Sequence, residues 1–475
     1  MQIKHYDICV VGSGPAGITA AVKLHNLGYN TLLIDSGNRS KKPDVQSVRP
    51  AMLTLLTRIG LNTEQIQRCL NPIQLSRILW TGEYEEIRKP SGFLIHRHIF
   101  DNKLLMAAKR LGVQVMQPAI VMSCRFLYDD WELQIYQEGK HSILKTKFLV
   151  DASGKKSVLR DTKIRMGSPT IAITGSWENR YLPENSTWLE SASTHWIWGA
   201  KIRDNLFHLS VFADPSAIGG RSRLMKLYVS AIERTILFRD CLQGPVPEKL
   251  NVDDVTPYYY RRPASGNYIK IGEASAGLDP LSSQGIQTAI AGAIQAAIVV
   301  NTLLAKTDLI NDALEFYSLR QQESIRNHLN NLSKNYSLAA HWQDQLFWGK
   351  RTKSRKDLIL NFPVDAPAWN TDTMIKLSQD LILKSVACIE DDLITRKMGL
   401  IHPGLERPMV YWQNLEMKNL IKAVDGSITI SDLIREWSGI MPPPNAVQLI
   451  YTLRQAGVLE IAGQPKFKKN TQAEI

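Results

Sequence analysis

The sequence predicts an α/β (α+β) chain: a Rossmann-like domain with an inserted mixed β-sheet, then a C-terminal helical module of winged-helix-like pattern. Three observations predict it. A strand, a glycine-rich turn, a helix and a second strand follow one another over residues 6–35; strand patterns recur at 148–150 and 268–271, flanking a strand-rich block; and composition shifts after the basic run 350–356 with Pro363 and Pro367. At 475 residues the chain exceeds one ordinary domain. The expected divisions are 1–164 and 263–360 for the two parts of the nucleotide-binding domain, 165–262 for the inserted sheet, 371–462 for the C-terminal module, and 463–475 for a disordered tail.

Residues 6–11 (YDICVV) are a short β-rich apolar run, and Gly12, Gly14, Pro15, Ala16 and Gly17 open a helix that continues through Ile18, Val22 and Leu24. A second strand, TLLI, ends at Asp35, 23 residues beyond Gly12. GxGxxG alone is weak evidence; between two strands and ahead of an acid it is the FAD/NAD(P) dinucleotide signature. Gly12 permits the tight turn, Gly14 lets a pyrophosphate approach the backbone, Gly17 lets helix and strand pack closely, and free N–H groups at the helix start face the phosphates. Asp35, followed by Ser36, is placed to accept hydrogen bonds from ribose hydroxyls.

The stretch 50–92 reads as long, helical and polar before GFLIHRHIFD at 92–101. Short strands follow over 113–150, ending in Asp151-Ala152-Ser153-Gly154. A later landmark, YIKIGEA at 268–274, leads to LDPLSSQGI at 278–286 and an Ala-rich helix reaching Leu304.

Lys and Arg number 57 against 45 Asp and Glu, a net +12 with a pI near 9.3, which suits an anionic partner without choosing one. The excess sits in short runs (41–42, 155–156, 350–356, 466–469) that read as solvated loops or tails, so nucleic acid is a minor reading. Cys9, Cys69, Cys124, Cys241 and Cys388 are scattered and never spaced as CxxC, so neither a disulfide framework nor a metal site is indicated. With no signal-peptide pattern, and an apolar run at 289–305 broken by Gln295 and Asn301, the expectation is a cytoplasmic protein without a membrane span.

Over residues 1–330 these landmarks resemble the FAD-dependent monooxygenase superfamily of the hydroxybenzoate-hydroxylase fold, which includes the flavin-dependent halogenases. Within it the chain is most similar to flavoprotein monooxygenases of tryptophylquinone maturation. GSGPAG, LSRILW, FLIHRHIFD, VDASGKKS and GEASAGLDPLSSQGIQTA carry the resemblance. It implies that Gly12, Gly14, Gly17 and Asp35 hold the ADP half of FAD, that Arg97 contacts its phosphate or ribose, and that Asp151 and Gly154 belong to the strand returning to the cofactor. Gly272 and the following acid close over the ribityl and pyrophosphate; the family's usual aspartate is here Glu273, which displaces the carboxylate by about 1.5 Å. Pro280, Ser283, Gln284, Gly285 and Ile286 match the loop and helix start under the isoalloxazine ring, where backbone N–H groups stabilise negative charge on the reduced flavin.

The resemblance implies a reduced flavin that reacts with oxygen to give a C4a-hydroperoxide, the protein deciding what attacks it. Halogenases in this group carry a WxWxIP-like element; Trp196-Ile197-Trp198-Gly199-Ala200-Lys201-Ile202 keeps both tryptophans but has Lys201 near its end. They also need a lysine in the segment matching CLNPIQLSRILW (69–80), whose only cation is Arg77. A guanidinium stays protonated and cannot serve as the amine. The expectation is therefore hydroxylation of an aromatic side chain, tryptophan foremost, in a peptide or protein. A flavin halogenase is the alternative, and a flavin-binding regulator with a DNA-reading winged helix is the alternative of another class. Candidate bases are His96, Glu83 and His195; candidate pocket walls are Trp80, Trp196 and Trp198, with core packing as their competing role. The reductant is NAD(P)H or a separate flavin reductase.

In the C-terminal module three helical patterns (417–424, 431–437, 445–456) precede a strand at 457–461. Residues 445–455 hold one arginine, Arg454, amid Leu449, Ile450 and Leu453. Such a helix is packed rather than base-reading, which favours peptide docking or a structural role over DNA.

Overall fold

The structure is a computed structural model that describes residues 4–37, 45–203, 205–217, 220, 223–239, 247, 249–352 and 370–462. Lys41, Lys42, Cys241, the end of the 350–356 run, Pro363, Pro367 and the tail 463–475 lie outside the described residues. The chain divides into two units, Met1–Leu358 and Ile359–Ile475.

The first unit is built on an eight-stranded sheet. Its parallel centre runs Tyr268–Lys270, Lys140–Asp151, Lys4–Val11 (β1), Thr31–Ile34 (β2), Gln114–Met116. β1 and β2 are buried apolar runs, as a strand covered on both faces requires. Helix Pro15–Asn26 (α1) follows the glycine turn with proline in its first turn, and it packs on the helix Gly285–Ala305. That helix, 21 residues, is longer than the apolar run read from sequence and is long and apolar enough to cross a membrane. Here Ile290, Ala293, Ala296, Ala297 and Val300 are buried within the unit, so it serves as a core helix.

A seven-stranded mixed sheet forms a second layer, in the order Asn251–Asp254, Ile171–Glu178, Leu206–Ala213, His195–Lys201, Ser186–Ala192, Leu75–Leu79, Tyr84–Arg88. Alternation assigns its faces. Ile173, Trp188, Ile197, Phe207 and Leu209 point outward and pack on Tyr228 and Ile232 of the helix Leu224–Glu233. Trp196 and Phe212 point inward, stacked at 3.7 Å between centroids.

The sheet corrects two expectations. Residues 50–92 are not a long helical stretch: helices cover only Ala51–Arg58 and Glu64–Gln67, and Leu75–Leu79 and Tyr84–Arg88 complete the sheet, so it is not confined to 165–262. Leu75 and Ile78 are too few to reveal a strand period alone. Parallel pairing of Leu75–Leu79 with Ser186–Ala192, over a hundred residues away, decides it.

The C-terminal unit packs helices Met417–Leu420, Ile430–Trp437 and Pro443–Gln455 around Leu433, Trp437, Leu449 and Leu453, beside a three-stranded sheet. Thr429 caps the second helix by accepting from the Asp432 N–H. The unit is not only helical. A hairpin of two nine-residue strands, Ile382–Glu390 and Leu393–Ile401, turns at Asp391-Asp392, both at positive φ. Short polar acids tolerate that conformation, and two adjacent left-handed residues match strand twist.

Candidate active site

The C-terminal ends of the parallel strands share one row. Val11 is level with Asp151 and Ile34, Ile34 with Met116, and Asp151 with Lys270. Ligands of open α/β sheets bind beyond this edge. Three loops meet there. A Cβ on Gly12 would lie 2.3 Å from the Ala152 carbonyl oxygen, on Gly17 it would lie 1.8 Å from that of Gly12, and on Gly272 it would lie 2.9 Å from Ala16. These glycines let the loops touch one another. A Cβ on Gly14, Gly154 or Gly285 would meet nothing within 4 Å, so these three border open space.

Asp35 ends β2 with both oxygens engaged: Oδ1 accepts from Gly37 N and Gln117 Nε2, each at 2.8 Å, and Oδ2 from the backbone and hydroxyl of Ser13. Ser36 is exposed beside it. Asp151, by contrast, is fully buried and turned into its own loop, where it accepts from Ser153 N, Ser153 Oγ, Ser157 Oγ and Leu159 N. It shapes the 153–159 turn that carries Gly154 and does not face the crevice. Arg97 begins the helix Arg97–Arg110, half-buried, with Nε on Asp101 at 2.9 Å and a terminal nitrogen on Gln46 at 3.1 Å. Glu273 is exposed, and its carbonyl accepts from the Tyr258 hydroxyl.

Beyond it, Asp279 caps a short turn, Pro280–Ser282, by accepting from Leu281 N at 2.9 Å. Ser283 is left-handed at φ 49°, Gln284 leads into the helix without a side-chain cap, and Gly285 and Ile286 start it. Leu281 packs on the inward cluster of Trp80, Trp196 and Phe212, so the inner sheet face roofs this loop.

These residues fit FAD. The start of α1 has no side-chain cap over its first N–H groups, the space at Gly14 is open, and in the first turn of the second helix Gln287 Oε1 is buried without a hydrogen-bond partner. A dinucleotide offers phosphate oxygens to the first and polar ring edges to the last.

Residues 5–189 match the family model described as FAD binding domain. Tryptophan 2-halogenase of Chondromyces crocatus is 25% identical over 338 residues, 65% of this chain and 64% of that protein. The chain thus spans about two thirds of that relative's length. The structure of QhpG, a peptidyl tryptophan dihydroxylase essential for tryptophylquinone biogenesis, superposes with a TM-score of 0.76 at 19% identity, over 95% of this chain and 99% of QhpG. CmlS, a flavin-dependent halogenase, superposes at 0.78 and 17% identity, over 96% of each chain. Residues 5–189 form an FAD-binding domain, and the fold is that of FAD-dependent monooxygenases and halogenases.

In this fold the candidate bases are not equivalent. His195 lies on the outward face, 4% exposed, its Nε2 donating to the Ala231 carbonyl at 3.0 Å; burial pushes its pKa down to about 4. It is a neutral packing residue on the face opposite Trp196 and Trp198. Glu83 is exposed in the turn between Leu79 and Tyr84. His96 sits at the start of the Arg97–Arg110 helix, its ring 6.0 Å from those of His98 and His208. His208, unsuspected from sequence, is buried on the inner face with Nδ1 2.9 Å from Ser176 Oγ.

The tryptophans separate too. Trp80 and Trp196 are core, 6% and 2% exposed, with indole N–H groups donated to Asn335 O and the Tyr336 hydroxyl. Trp348 and Tyr336 complete that cluster. Only Trp198 is half-exposed, bordering both this cluster and the one around Leu94 and Ala200. Lys201 is buried outward, Nζ donating to Asn179 O and Leu182 O.

Three more residues escaped sequence reasoning. Asp279 is buried, and burial raises its pKa to about 6 against the opposing hydrogen bond from Leu281. Its backbone N–H donates to His328 Nε2 at 2.9 Å, and Tyr336 donates to its Oδ2 at 3.3 Å. An aspartate directly before proline at a helix start was the available signal. His328 and Tyr336 carry none, because only packing brings the helix Ile310–Ser337 to this loop.

Proposed function

We propose that this enzyme is a monooxygenase that hydroxylates an aromatic side chain, tryptophan foremost, within a peptide or protein. The position of Arg77 carries the reading. Arg77 is paired in register with Trp188, on the outward face, with Nε 3.3 Å from Glu86. The inner face of the same strand presents Ser76, bonded to Thr187, and Ile78. No amine from that strand enters the roofed space, so the hypohalite-carrying lysine has no counterpart there.

Bound FAD, once reduced, supplies oxygen activation. The protein supplies a loop of backbone donors at 284–286, a half-exposed Trp198 against which an aromatic ring stacks, and an imidazole cluster within reach of the roof. Similarity to QhpG over nearly the whole chain supports a peptidyl substrate. The C-terminal unit is read as its holder: Leu377, Leu383, Met398, Ile421 and Val424 line a groove of about 470 Å³ beside Lys422. Reducing equivalents come from NAD(P)H or a partner reductase.

A second reading, halogenation, is favoured by the tryptophan 2-halogenase and CmlS likenesses. One experiment separates them: anaerobic reduction of the FAD-loaded protein with NADH, NADPH or a flavin reductase, then oxygen and a tryptophan-containing peptide, with and without chloride or bromide. A mass gain of one oxygen atom independent of halide is expected; a halide-dependent halogenated product would overturn hydroxylation. Deleting residues 371–475 should abolish turnover of the peptide while leaving FAD bound, and unchanged turnover would remove the C-terminal unit from substrate binding.

A further inference from the structure

Asp279 takes part in an arrangement that a turn cap alone does not require. A fully buried carboxylate is costly unless every oxygen is engaged. Here Oδ1 takes the Leu281 N–H and Oδ2 takes the Tyr336 hydroxyl, while the residue's own N–H is held by His328 Nε2. Accepting that N–H requires His328 neutral, and burial does hold its pKa down, near 4. The Tyr336 oxygen in turn accepts from Trp196 Nε1 at 3.1 Å. The donors all point one way, from indole through phenol to carboxylate, so each bond polarises the next. Trp196 lies on the same strand and face as Trp198, two residues on, and Asp279 begins the turn that leads into the uncapped start of the helix Gly285–Ala305.

We infer that Asp279 is a positioning residue for the flavin: through Tyr336 it ties the 280–286 loop, which would hold the isoalloxazine ring, to the strand of the roof that carries Trp196 and Trp198. The chain sets where the loop's N–H groups stand relative to the ring, and it couples that placement to the packing of the substrate wall. The inference rests on FAD binding and on the assignment of this loop to the ring, but not on the choice between hydroxylation and halogenation.

The same sheet supplies a matched control. On its outward face Trp177 donates to the Tyr228 hydroxyl at 3.2 Å, and that hydroxyl donates to the Leu209 carbonyl at 2.9 Å. Tyr336→Phe and Tyr228→Phe each delete one buried phenol that receives an indole N–H, one beside the loop and one away from it. Full-length apoprotein is titrated with FAD by fluorescence quenching, and the visible spectrum and reduction potential of the bound flavin are recorded. Wild type binding no FAD would sink the cofactor assignment itself. Given wild-type binding, Tyr336→Phe should weaken FAD about tenfold, the loss of one hydrogen bond to a charged group, and shift spectrum and potential. Tyr228→Phe should lower the melting temperature comparably and leave all three flavin readouts unchanged. Equal flavin readouts in the two variants, or wild-type values in Tyr336→Phe, would overturn the inference. Should Tyr336→Phe fail to fold, Asp279→Asn, which keeps the side-chain shape, takes its place with the same expectations.

Discussion

Gly14 and Gly17 lie three residues apart, and the structure predicts opposite consequences for adding one methyl group to each. At Gly17 the Cβ would stand 1.8 Å from the Gly12 carbonyl oxygen and 3.0 Å from the Ala152 methyl. Neither neighbour is a flexible side-chain end, so α1 must lift from the sheet, at the upper end of the roughly 1–3 kcal/mol typical of overpacking. At Gly14 the backbone has φ −71° and ψ 176°, ordinary for any residue, and nothing lies within 4 Å. Gly14→Ala should therefore cost the apoprotein under about 1 kcal/mol, the difference between glycine and alanine as a cap. The new methyl would instead occupy the space a pyrophosphate needs to reach the first N–H groups of α1. Losing two charge-assisted hydrogen bonds, at about 1.5–3 kcal/mol each, would weaken FAD by a hundredfold or more. Differential scanning fluorimetry of both apoproteins and FAD titration by fluorescence test this directly. Wild-type FAD affinity in Gly14→Ala would refute the cradle, and wild-type stability in Gly17→Ala would refute the close packing of helix on sheet.

Stability should fall as pH drops from about 6.5 to 4. His195 and His328 have folded pKa values near 4, below the unfolded 6.5, so the unfolded chain binds more protons in that window; Asp279, raised to about 6, acts in the opposite sense but singly. Each histidine contributes at most about 3 kcal/mol, read by urea unfolding at pH 4.5, 5.5 and 7; a flat or inverted profile would contradict these burials. Arg77→Ala should leave product yield unchanged and cost no more than about 1 kcal/mol, since its pairing with Glu86 is at the sheet edge; a large loss of turnover would place Arg77 in the site after all. Trp348→Ala should destabilise by about 3–5 kcal/mol, because its ring fills the cluster against Trp80 and Tyr336 and its N–H is bonded to Ala192 O.

What could be read from sequence was local and covalent in origin. The glycine turn, the proline after it and the acid ending β2 announce themselves because each answers a backbone demand within forty residues. The apolar spacing of residues 445–456 does the same in the C-terminal unit. Inner and outer faces of the roof were not readable. Trp196, His195 and Trp198 stand within four residues, yet the first is core, the second is on the opposite face and only the third is partly exposed, since strand alternation assigns faces only once it is known which face is covered by what.

Chain-distant partners were equally hidden. Asp151 looks like a cofactor acid in sequence, but its own loop folds onto both oxygens. Asp279 looks like a turn residue, and becomes a buried junction because the helix Ile310–Ser337 brings His328 and Tyr336 to it. The sequence by itself determined the nucleotide-binding frame, its cofactor class and the helical core of the C-terminal unit, all of which follow from short-range sterics and periodicity. Which polar side chains are buried, which aromatic rings are core and which carboxylate is held by distant partners were decided by tertiary packing, because burial and hydrogen-bond partnership are properties of segments that meet only after the chain has folded.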